Sequence, residues 1–315
     1  MNKKSLIIIL LLVTAFGTST SRAQQDAQYT QYMYNTMSIN PAYAGSRGVT
    51  SIVGLHRSQW VGLEGAPRTQ TISINSPLRR SNIGIGFNVT NDEIGPSDET
   101  YFDANVSYTI RTSEKGKLSF GLKGGAHLLN IDYTKLNVET AGDRAFANNV
   151  DNRLSPQVGA GIYYRTDKFY AGFSVPNFLK TKHYDSSSNS INSSSSEIAD
   201  ERLNYYLITG LILDINQDIK FKPALLTKAV AGAPLSVDIT ANFLFYEKLT
   251  LGAAYRWSAA FSGLVGFQVS ESMFLGFGYD AETTKLAEYN DGSYEIIARF
   301  ELKRSYDRML TPRFF

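Results

Sequence analysis

The segment YEIIARFELK, residues Tyr294–Lys303, decides the fold because its side chains alternate in polarity. One set of alternate positions is apolar or aromatic: Tyr294, Ile296, Ala298, Phe300 and Leu302. The intervening set is largely charged: Glu295, Ile297, Arg299, Glu301 and Lys303. Successive side chains of a β-strand point to opposite faces, so the segment predicts a strand with one apolar and one charged face. One such strand fits a soluble sandwich as well as a membrane barrel.

The same period of two recurs along most of the chain and predicts about fourteen strands. They are Thr50–Gln59, Arg68–Ser76, Ile83–Thr90, Tyr101–Ile110, Lys117–Ile131, Gln157–Arg165, Lys168–Val175, Leu203–Asp214, Ile219–Thr227, Leu235–Phe245, Leu249–Trp257, Phe261–Ser270, Met273–Tyr279 and Tyr294–Lys303. An even number of amphipathic antiparallel strands is typical of outer-membrane barrels, in which the last strand pairs with the first. We therefore predict an all-β fold, a transmembrane outer-membrane β-barrel.

The lengths of the predicted connections give a second, independent signal. Short connections such as Thr112–Gly116 and Tyr246–Lys248 alternate with mostly longer ones, such as Trp60–Pro67, Asp132–Pro156 and Pro176–Arg202. Outer-membrane barrels have short periplasmic turns at one rim and longer extracellular loops at the other. On this layout both ends of the chain are expected at the periplasmic rim.

The N-terminus carries an export signal. Lys3 and Lys4 precede the apolar run Leu6–Phe16, and Ser21-Arg22-Ala23 is a small-x-small cleavage site. We divide the chain into a signal peptide (1–23), an N-terminal periplasmic or lumen arm (24–48), the barrel (49–304) and a C-terminal tail (305–315). The arm is predicted either to pack inside or against the barrel, or to dock a periplasmic partner.

Composition narrows the chemistry. The chain has no cysteine and a net charge of only +2, so thiolate metal sites and a nucleic-acid footprint are not indicated. His183 with Asp185 is the one candidate for hydrolysis, but it lies in the loop Pro176–Arg202, which contains the Ser/Asn-rich tract Ser186–Ser196 and cannot hold a fixed geometry. We predict no enzymatic activity, no cofactor and no metal. Asp92, Glu93 and Asp98 are interpreted as a solvated acidic loop, with a divalent-cation site as the alternative.

The predicted lumen carries charges of both signs: Lys123, Arg165, Arg256, Glu295, Arg299, Glu301 and Lys303. They fit an internal charge network or the lining of a selective pore. Glycines at every second position, as in Ile83-Gly84-Ile85-Gly86-Phe87, are interpreted as room for lumen side chains or strand bending rather than as a nucleotide loop.

Several motifs resemble one known family. The run QYMYNTMSINPAYAGSRG (31–48), followed by Ser58-Gln59-Trp60-Val61-Gly62 and Ala66-Pro67-Arg68-Thr69, resembles the PorP/SprF family of outer-membrane proteins of the Bacteroidetes type IX secretion and gliding system. The ending Thr311-Pro312-Arg313-Phe314-Phe315 is similar as well. The resemblance implies a non-enzymatic outer-membrane role in secretion or surface attachment of adhesins.

The resemblance also implies the partners. They are type IX components, such as periplasmic ring or peptidoglycan-linked proteins, and the C-terminal domain of a secreted surface adhesin, besides outer-membrane lipid. The candidate partner-binding residues are Tyr32, Asn35, Asn40, Pro41, Tyr43, Gln59, Trp60 and Arg313. The alternative function is a porin-like diffusion or uptake channel. Fourteen strands are expected to enclose a wider lumen than eight strands do, and side chains fill the lumen only in the eight-stranded barrel.

Overall fold

A computed structural model describes residues 27–136, 149–179, 182–184, 197–200, 203–230 and 233–302. Its strands are Thr50–Ser58 (β1), Arg68–Pro77 (β2), Ile83–Ile94 (β3), Ser97–Arg111 (β4), Lys117–Ile131 (β5), Val150–Arg165 (β6), Phe169–Val175 (β7), Lys182–Tyr184 (β8), Glu197–Asp200 (β9), Asn204–Leu211 (β10), Leu213–Asp214 (β11), Ile219–Val230 (β12), Ser236–Phe245 (β13), Leu249–Arg256 (β14), Ala260–Gln268 (β15), Met273–Glu282 (β16) and Ser293–Leu302 (β17). The predicted signal peptide, the tail, the whole Ser/Asn-rich tract and the candidate pair His183 and Asp185 lie outside what is described, apart from the backbone at His183.

These strands form a closed antiparallel barrel. β1 pairs with β17 from Thr50↔Leu302 to Ser58↔Tyr294, so the last strand closes on the first as predicted. β10 pairs with both β7 and β12 and completes the ring on the other side. Counting β10 and β11 as one strand interrupted at Ile212, the described part of the chain forms a barrel of fourteen strands. β8 and β9 form a separate two-stranded sheet. The predicted fold class is confirmed.

The wall is polar inside and apolar outside, the reverse of a soluble protein. Large apolar side chains are exposed on the outer face of successive strands: Ile72, Phe87, Val106, Leu122, Val158, Phe173, Leu207, Ile239, Leu251, Val265, Phe277 and Ile296. Their neighbours in sequence point inward and many are polar and buried: Thr71, Ser73, Asn88, Asn105, Ser107, Gln157, Thr240, Glu295 and others. This arrangement suits a cylinder with lipid around it, because no water in the bilayer core would solvate outward polar groups.

The two rims differ in their connections. One rim carries only short turns, at 78–82, 112–116, 166–168, 215–218, 246–248 and 269–272. The other carries the longer connections at 59–67, 132–149, 176–203 and 283–292, together with shorter ones at 95–96, 231–235 and 257–259. We refer to them as the short-turn rim and the long-loop rim; in outer-membrane barrels these face the periplasm and the exterior respectively.

Three strands extend further toward the long-loop rim than the sequence indicated. The segment 91–99, expected to be a loop, continues β3 and β4 as far as the pair Ile94↔Ser97, and β6 begins at Val150 instead of Gln157. Near the rim both faces of a strand are polar, so the alternation fades while the backbone pairing continues. Asp92 therefore points into the lumen from a strand and accepts a 2.5 Å hydrogen bond from Thr69, instead of lying in an acidic loop.

Helical structure in the described residues is limited to short 3-10 segments, at Thr36–Ser38, Pro41–Tyr43, Tyr133–Lys135 and Lys285–Glu288. No described helix has the length and apolar character needed to cross a membrane.

Candidate functional site: the occupied lumen

Residues 27–48, which we call the arm, lie inside the barrel. Most of their side chains are buried, including Tyr32, Thr36, Asn40 and Ala42. The arm runs from the long-loop end of the lumen down to the short-turn rim, where Gly48 leads into β1. The described part of the arm begins at the long-loop end of the lumen, because residues 29–31 contact the long-loop ends of the strands. The expected position of the chain ends at the periplasmic rim concerns residues outside those described.

The local sequence explains how the arm turns inside the lumen. Asn40 is extended, and its side-chain oxygen accepts a 2.9 Å hydrogen bond from the Ala42 amide, which caps the 3-10 turn Pro41–Tyr43. Pro41 fits the first position of that turn because its missing N–H has no partner to lose there. Gly45 and Gly48 then adopt positive φ, which glycine permits at no steric cost, and redirect the chain toward β1.

Polar contacts tie the arm to strands all around the wall. They join Tyr29 Oη to Thr71 Oγ1 (2.9 Å), Tyr32 Oη to Thr240 Oγ1 (3.1 Å), Ser174 Oγ to the Ile39 carbonyl (2.6 Å), Asn40 Nδ2 to the Ile162 carbonyl (3.0 Å), Ser107 Oγ to the Ala44 carbonyl (2.7 Å) and the Gly45 amide to Asn75 Oδ1 (3.2 Å). The inner face of the wall is thus complementary to the arm in hydrogen-bonding groups, not only in shape.

Wall glycines provide the space that the arm needs. A Cβ at Gly121 would collide with the Pro41–Ala42 backbone, and one at Gly84 would collide with the Ala44 carbonyl. The lumen-facing glycines Gly86, Gly161 and Gly276 likewise face the arm side chains of Met37, Asn40 and Gln31. The interpretation of period-two glycines as room inside the lumen agrees with this geometry, and what fills the room at these positions is the arm.

A buried charge cluster, which we call the outer latch, holds the upper end of the arm. It consists of Thr30, Gln31, Arg57, Asp280 and Glu295. The Glu295 carboxylate accepts hydrogen bonds from the backbone amides of Thr30 (2.8 Å) and Gln31 (2.7 Å). Arg57 donates to Asp280 (2.6 Å), Glu295 (3.2 Å) and the Thr30 hydroxyl (2.8 Å), and that hydroxyl donates to Asp280 (2.7 Å). The three charged side chains are almost completely buried.

The outer latch also lies on the seam of the barrel, since Arg57 and Glu295 are direct cross-strand partners of β1 and β17. A buried ion pair contributes little net stability, but removal of one partner costs about 3–5 kcal/mol. Barrel closure and arm attachment therefore share the same groups. Arg57 and Asp280 were missed from sequence; their signal was a charge at a lumen-facing strand position.

At the lower end, the arm meets a second charged group. Arg47 pairs with Glu301, and Arg299 Nε lies 3.3 Å from the same carboxylate. Two cations lie near the Tyr34 ring, with Lys222 Nζ at 5.8 Å and Arg299 Cζ at 5.7 Å from its centroid, and that centroid is 4.7 Å from the centroid of Phe274. Cation–π contact of this kind stabilises a partly exposed tyrosine at the mouth.

The mixed-sign lumen residues form an internal network where the structure describes them. Arg256 Nε is 2.6 Å from Asp238, and Lys123 Nζ is 3.0 Å from Asp103. His127 Nε2 lies 3.1 Å from Glu99. Among the described residues, no group of three or more His, Cys, Asp or Glu is arranged to hold a metal ion.

The predicted partner-binding residues separate into two places. The structure buries Tyr32, Asn35, Asn40, Pro41 and Tyr43 in the lumen, where a partner reaches them only by entering the barrel or by drawing out the arm. Asn35 is buried without a hydrogen-bond partner for its side-chain amide among the described residues.

Gln59 and Trp60 lie at the long-loop rim, and Arg313 lies outside the described residues. Trp60 Nε1 donates to Glu282 (2.8 Å) and its amide to Ser293 Oγ (3.1 Å), which joins the loop at 59–67 to the ends of β16 and β17 that flank the loop at 283–292. Partner binding by all eight residues stays a prediction.

Three solved outer-membrane proteins are similar to the chain in fold. The Acinetobacter baumannii outer membrane protein Omp33 shares 8% identity over 81% of this chain and 98% of its own, with a TM-score of 0.47. The Pseudomonas putida toluene transporter TodX shares 9% over 87% and 95%, with a TM-score of 0.47. A Pseudomonas aeruginosa FadL homologue shares 9% over 92% and 98%, with a TM-score of 0.46. No curated protein matches the chain by sequence.

A family model, described as type IX secretion system membrane protein PorP/SprF, matches residues 21–300. The match spans the arm and all of the barrel except the last two residues of β17, and it agrees with the resemblance in residues 31–48 and 58–69. Together with the lipid-facing wall it assigns the protein to the outer membrane. The chain therefore belongs to the PorP/SprF family of type IX secretion system membrane proteins.

Proposed function

We propose that this barrel acts in type IX secretion as a non-enzymatic docking protein, which supports secretion or surface attachment of adhesin-type proteins through protein–protein contacts. The observation that carries the proposal is the buried arm. A diffusion channel needs a continuous aqueous path, whereas here the arm crosses the lumen from the long-loop end to the short-turn rim and bonds to strands on all sides.

Two surfaces are available for docking in this proposal. The first is the long-loop rim around Gln59 and Trp60, where the loops at 59–67 and 283–292 are joined by backbone hydrogen bonds of 2.9 Å from the Val61 amide and 2.7 Å from the Asp291 amide. Its fixed loops suit a folded partner such as the C-terminal domain of an adhesin. The second is the arm itself, which would bind a partner after release from the outer latch.

Capture of partners from native membranes tests the proposal. Tagged full-length protein is expected to retain type IX components or a secreted surface protein, and loss of the gene is expected to reduce surface adhesin without changing the flux of small solutes. Reduced solute flux with normal adhesin display would instead support the channel alternative and contradict docking.

Two variants separate the docking surfaces. Trp60→Ala removes the indole that bonds to Glu282 and is expected to weaken capture if the rim binds the partner. Glu295→Gln weakens the outer latch and is expected to strengthen capture if the released arm binds it. Glu288→Gln, on an exposed position of the loop at 283–292, is the matched control. If neither variant changes capture, both surfaces are wrong.

A further inference from the structure

The short-turn mouth of the lumen gathers a group of cations, which we call the inner cation cluster: Arg47, Lys220, Lys222 and Arg299. Lys220 and Lys222 occupy the positions of β12 whose continuation, Ala224 and Leu226, is buried in the lumen. Arg299 is buried on the inner face of β17, and Arg47 comes from the arm. All four therefore face the lumen, and the wall separates them from the lipid.

Two carboxylates accompany the four cations. Glu301 is shared by Arg47 and Arg299, and Glu247 pairs with Lys220. The cluster of six side chains thus carries a formal charge of +2. Like charges in a partly enclosed cleft focus a positive potential, because the surrounding wall screens them less than bulk water does. The mouth is expected to attract anions from the aqueous side.

Arg299 adds an independent sign of a missing ligand. Its side chain is 3% exposed, yet Nη1 is buried with no hydrogen-bond partner in the described structure. A buried guanidinium nitrogen without an acceptor costs free energy, and a carboxylate is the acceptor that its planar fork matches best. Arg299 Cζ and Lys222 Nζ lie 5.7 and 5.8 Å from the centroid of the Tyr34 ring, so neighbouring carboxylates of one ligand at that ring would meet both cations.

A cavity beside the cluster indicates what accompanies the anion. It is small, about 20 Å³, partly open to solvent, and is lined by Lys222 and Tyr34 together with apolar side chains such as Met33, Ile212 and Pro223. A ligand with a carboxylate next to an apolar side chain satisfies both features.

We propose that the short-turn mouth binds an acidic peptide segment of a periplasmic partner protein. Carboxylates of that segment contact Lys222, Lys220 and Arg299, and a neighbouring apolar side chain packs over the apolar lining of the cavity. Lys220 and Lys222, which are partly exposed, make the first contact, and displacement of the Tyr34 ring opens the way to Arg299 Nη1. Two other occupants of the mouth are ruled out. The barrel wall separates the cations from lipid headgroups. The chain's own segment 303–315 carries four Lys or Arg against one Asp side chain, so its net charge is positive like that of the mouth.

Fluorescence anisotropy on purified full-length protein tests this site. The probe is a labelled short peptide of alternating Glu and Leu, compared with its Gln–Leu counterpart and with inorganic phosphate as competitor. Binding of the Glu peptide is expected to weaken with added salt and to fall roughly tenfold or more in Lys222→Gln and in Arg299→Gln. Glu247→Gln, which removes a carboxylate from the cluster, is expected to tighten it.

Lys115→Gln is the matched control, since Lys115 is an exposed cation on the same rim in the turn at 112–116. Equal binding of the Gln–Leu peptide, unchanged binding in Lys222→Gln, or binding of phosphate without the peptide would each overturn the proposal. If Arg299→Gln does not fold, the other two variants still test the site, because Lys222→Gln is expected to weaken peptide binding and Glu247→Gln to tighten it.

The site rests on the proposed docking function only for the source of the peptide. Peptide binding is measured without any secretion component, so the two ideas fail separately. If the protein binds the peptide but captures no type IX partner, the peptide site is supported and the docking function is contradicted. If it captures partners but does not bind the peptide, only the peptide site is contradicted.

Discussion

Glu295→Gln is the change that most directly probes how the arm is held. The substitution keeps the size of the side chain but removes the charge that two consecutive backbone amides, of Thr30 and Gln31, share at 2.8 and 2.7 Å. A glutamine has only one accepting oxygen, so one of these bonds is lost and the other becomes a neutral one. Arg57 keeps its 2.6 Å contact with Asp280, so the barrel seam is expected to survive.

The expected magnitude follows from these contacts. Hydrogen bonds to charged groups contribute about 1.5–3 kcal/mol and neutral ones about 1 kcal/mol, so replacing two charged bonds by one neutral bond is expected to weaken attachment of the arm by roughly 2–5 kcal/mol. Since 1.4 kcal/mol is a factor of ten, local opening of the arm should become about 30- to 4000-fold more frequent.

Hydrogen–deuterium exchange of the arm measures this directly, because amide protection reports the free energy of local opening. Faster exchange is expected in peptides covering residues 29–36, with little change in β1 and β17. Glu288→Gln is the control. Unchanged exchange at the Thr30 and Gln31 amides would refute the latch, and an equal increase in the wall strands would mean that Glu295 stabilises the whole barrel instead.

Three further predictions concern the wall. Gly121→Ala should push the arm away, because the new Cβ meets the Ala42 backbone, and should lower the free energy of thermal unfolding by about 1–3 kcal/mol. Gly124→Ala on the same strand has open space around its Cβ and should be nearly neutral. Equal effects of the two substitutions would contradict the packing of the arm against the wall. Arg57→Met leaves two buried carboxylates without their cation and should cost about 3–5 kcal/mol in unfolding from detergent; an unchanged midpoint would show that Arg57 is not needed at the seam. Leu122→Arg, at a position 62% exposed on the outer face, should destabilise refolding into lipid by about 2–4 kcal/mol while Leu122→Phe does not, and tolerance of the charge would mean that this face does not contact lipid.

The family resemblance and the barrel both followed from sequence because their signals are local. Alternation of polarity is visible within ten residues, and it predicted the last strand to within one residue at each end, since Tyr294–Lys303 was expected and Ser293–Leu302 is observed. The motif around Asn40-Pro41 also fixes its own turn, since the cap forms between Asn40 and Ala42 two residues away. The extent of β3, β4 and β6 was underestimated because backbone pairing continues where the polarity pattern ends.

The sequence alone thus determined that the chain forms amphipathic strands and that an aromatic, polar arm precedes them, because strand faces and caps depend on near neighbours. Only the tertiary structure decided that the arm runs through the lumen, that Glu295 accepts hydrogen bonds from its backbone and that Gly84 and Gly121 leave the space it occupies. These contacts join residues far apart in the chain, as the 265 residues between Thr30 and Glu295 illustrate. Period two tells which side chains point inward but not which of them meet, since that depends on closure of the ring and on strand stagger.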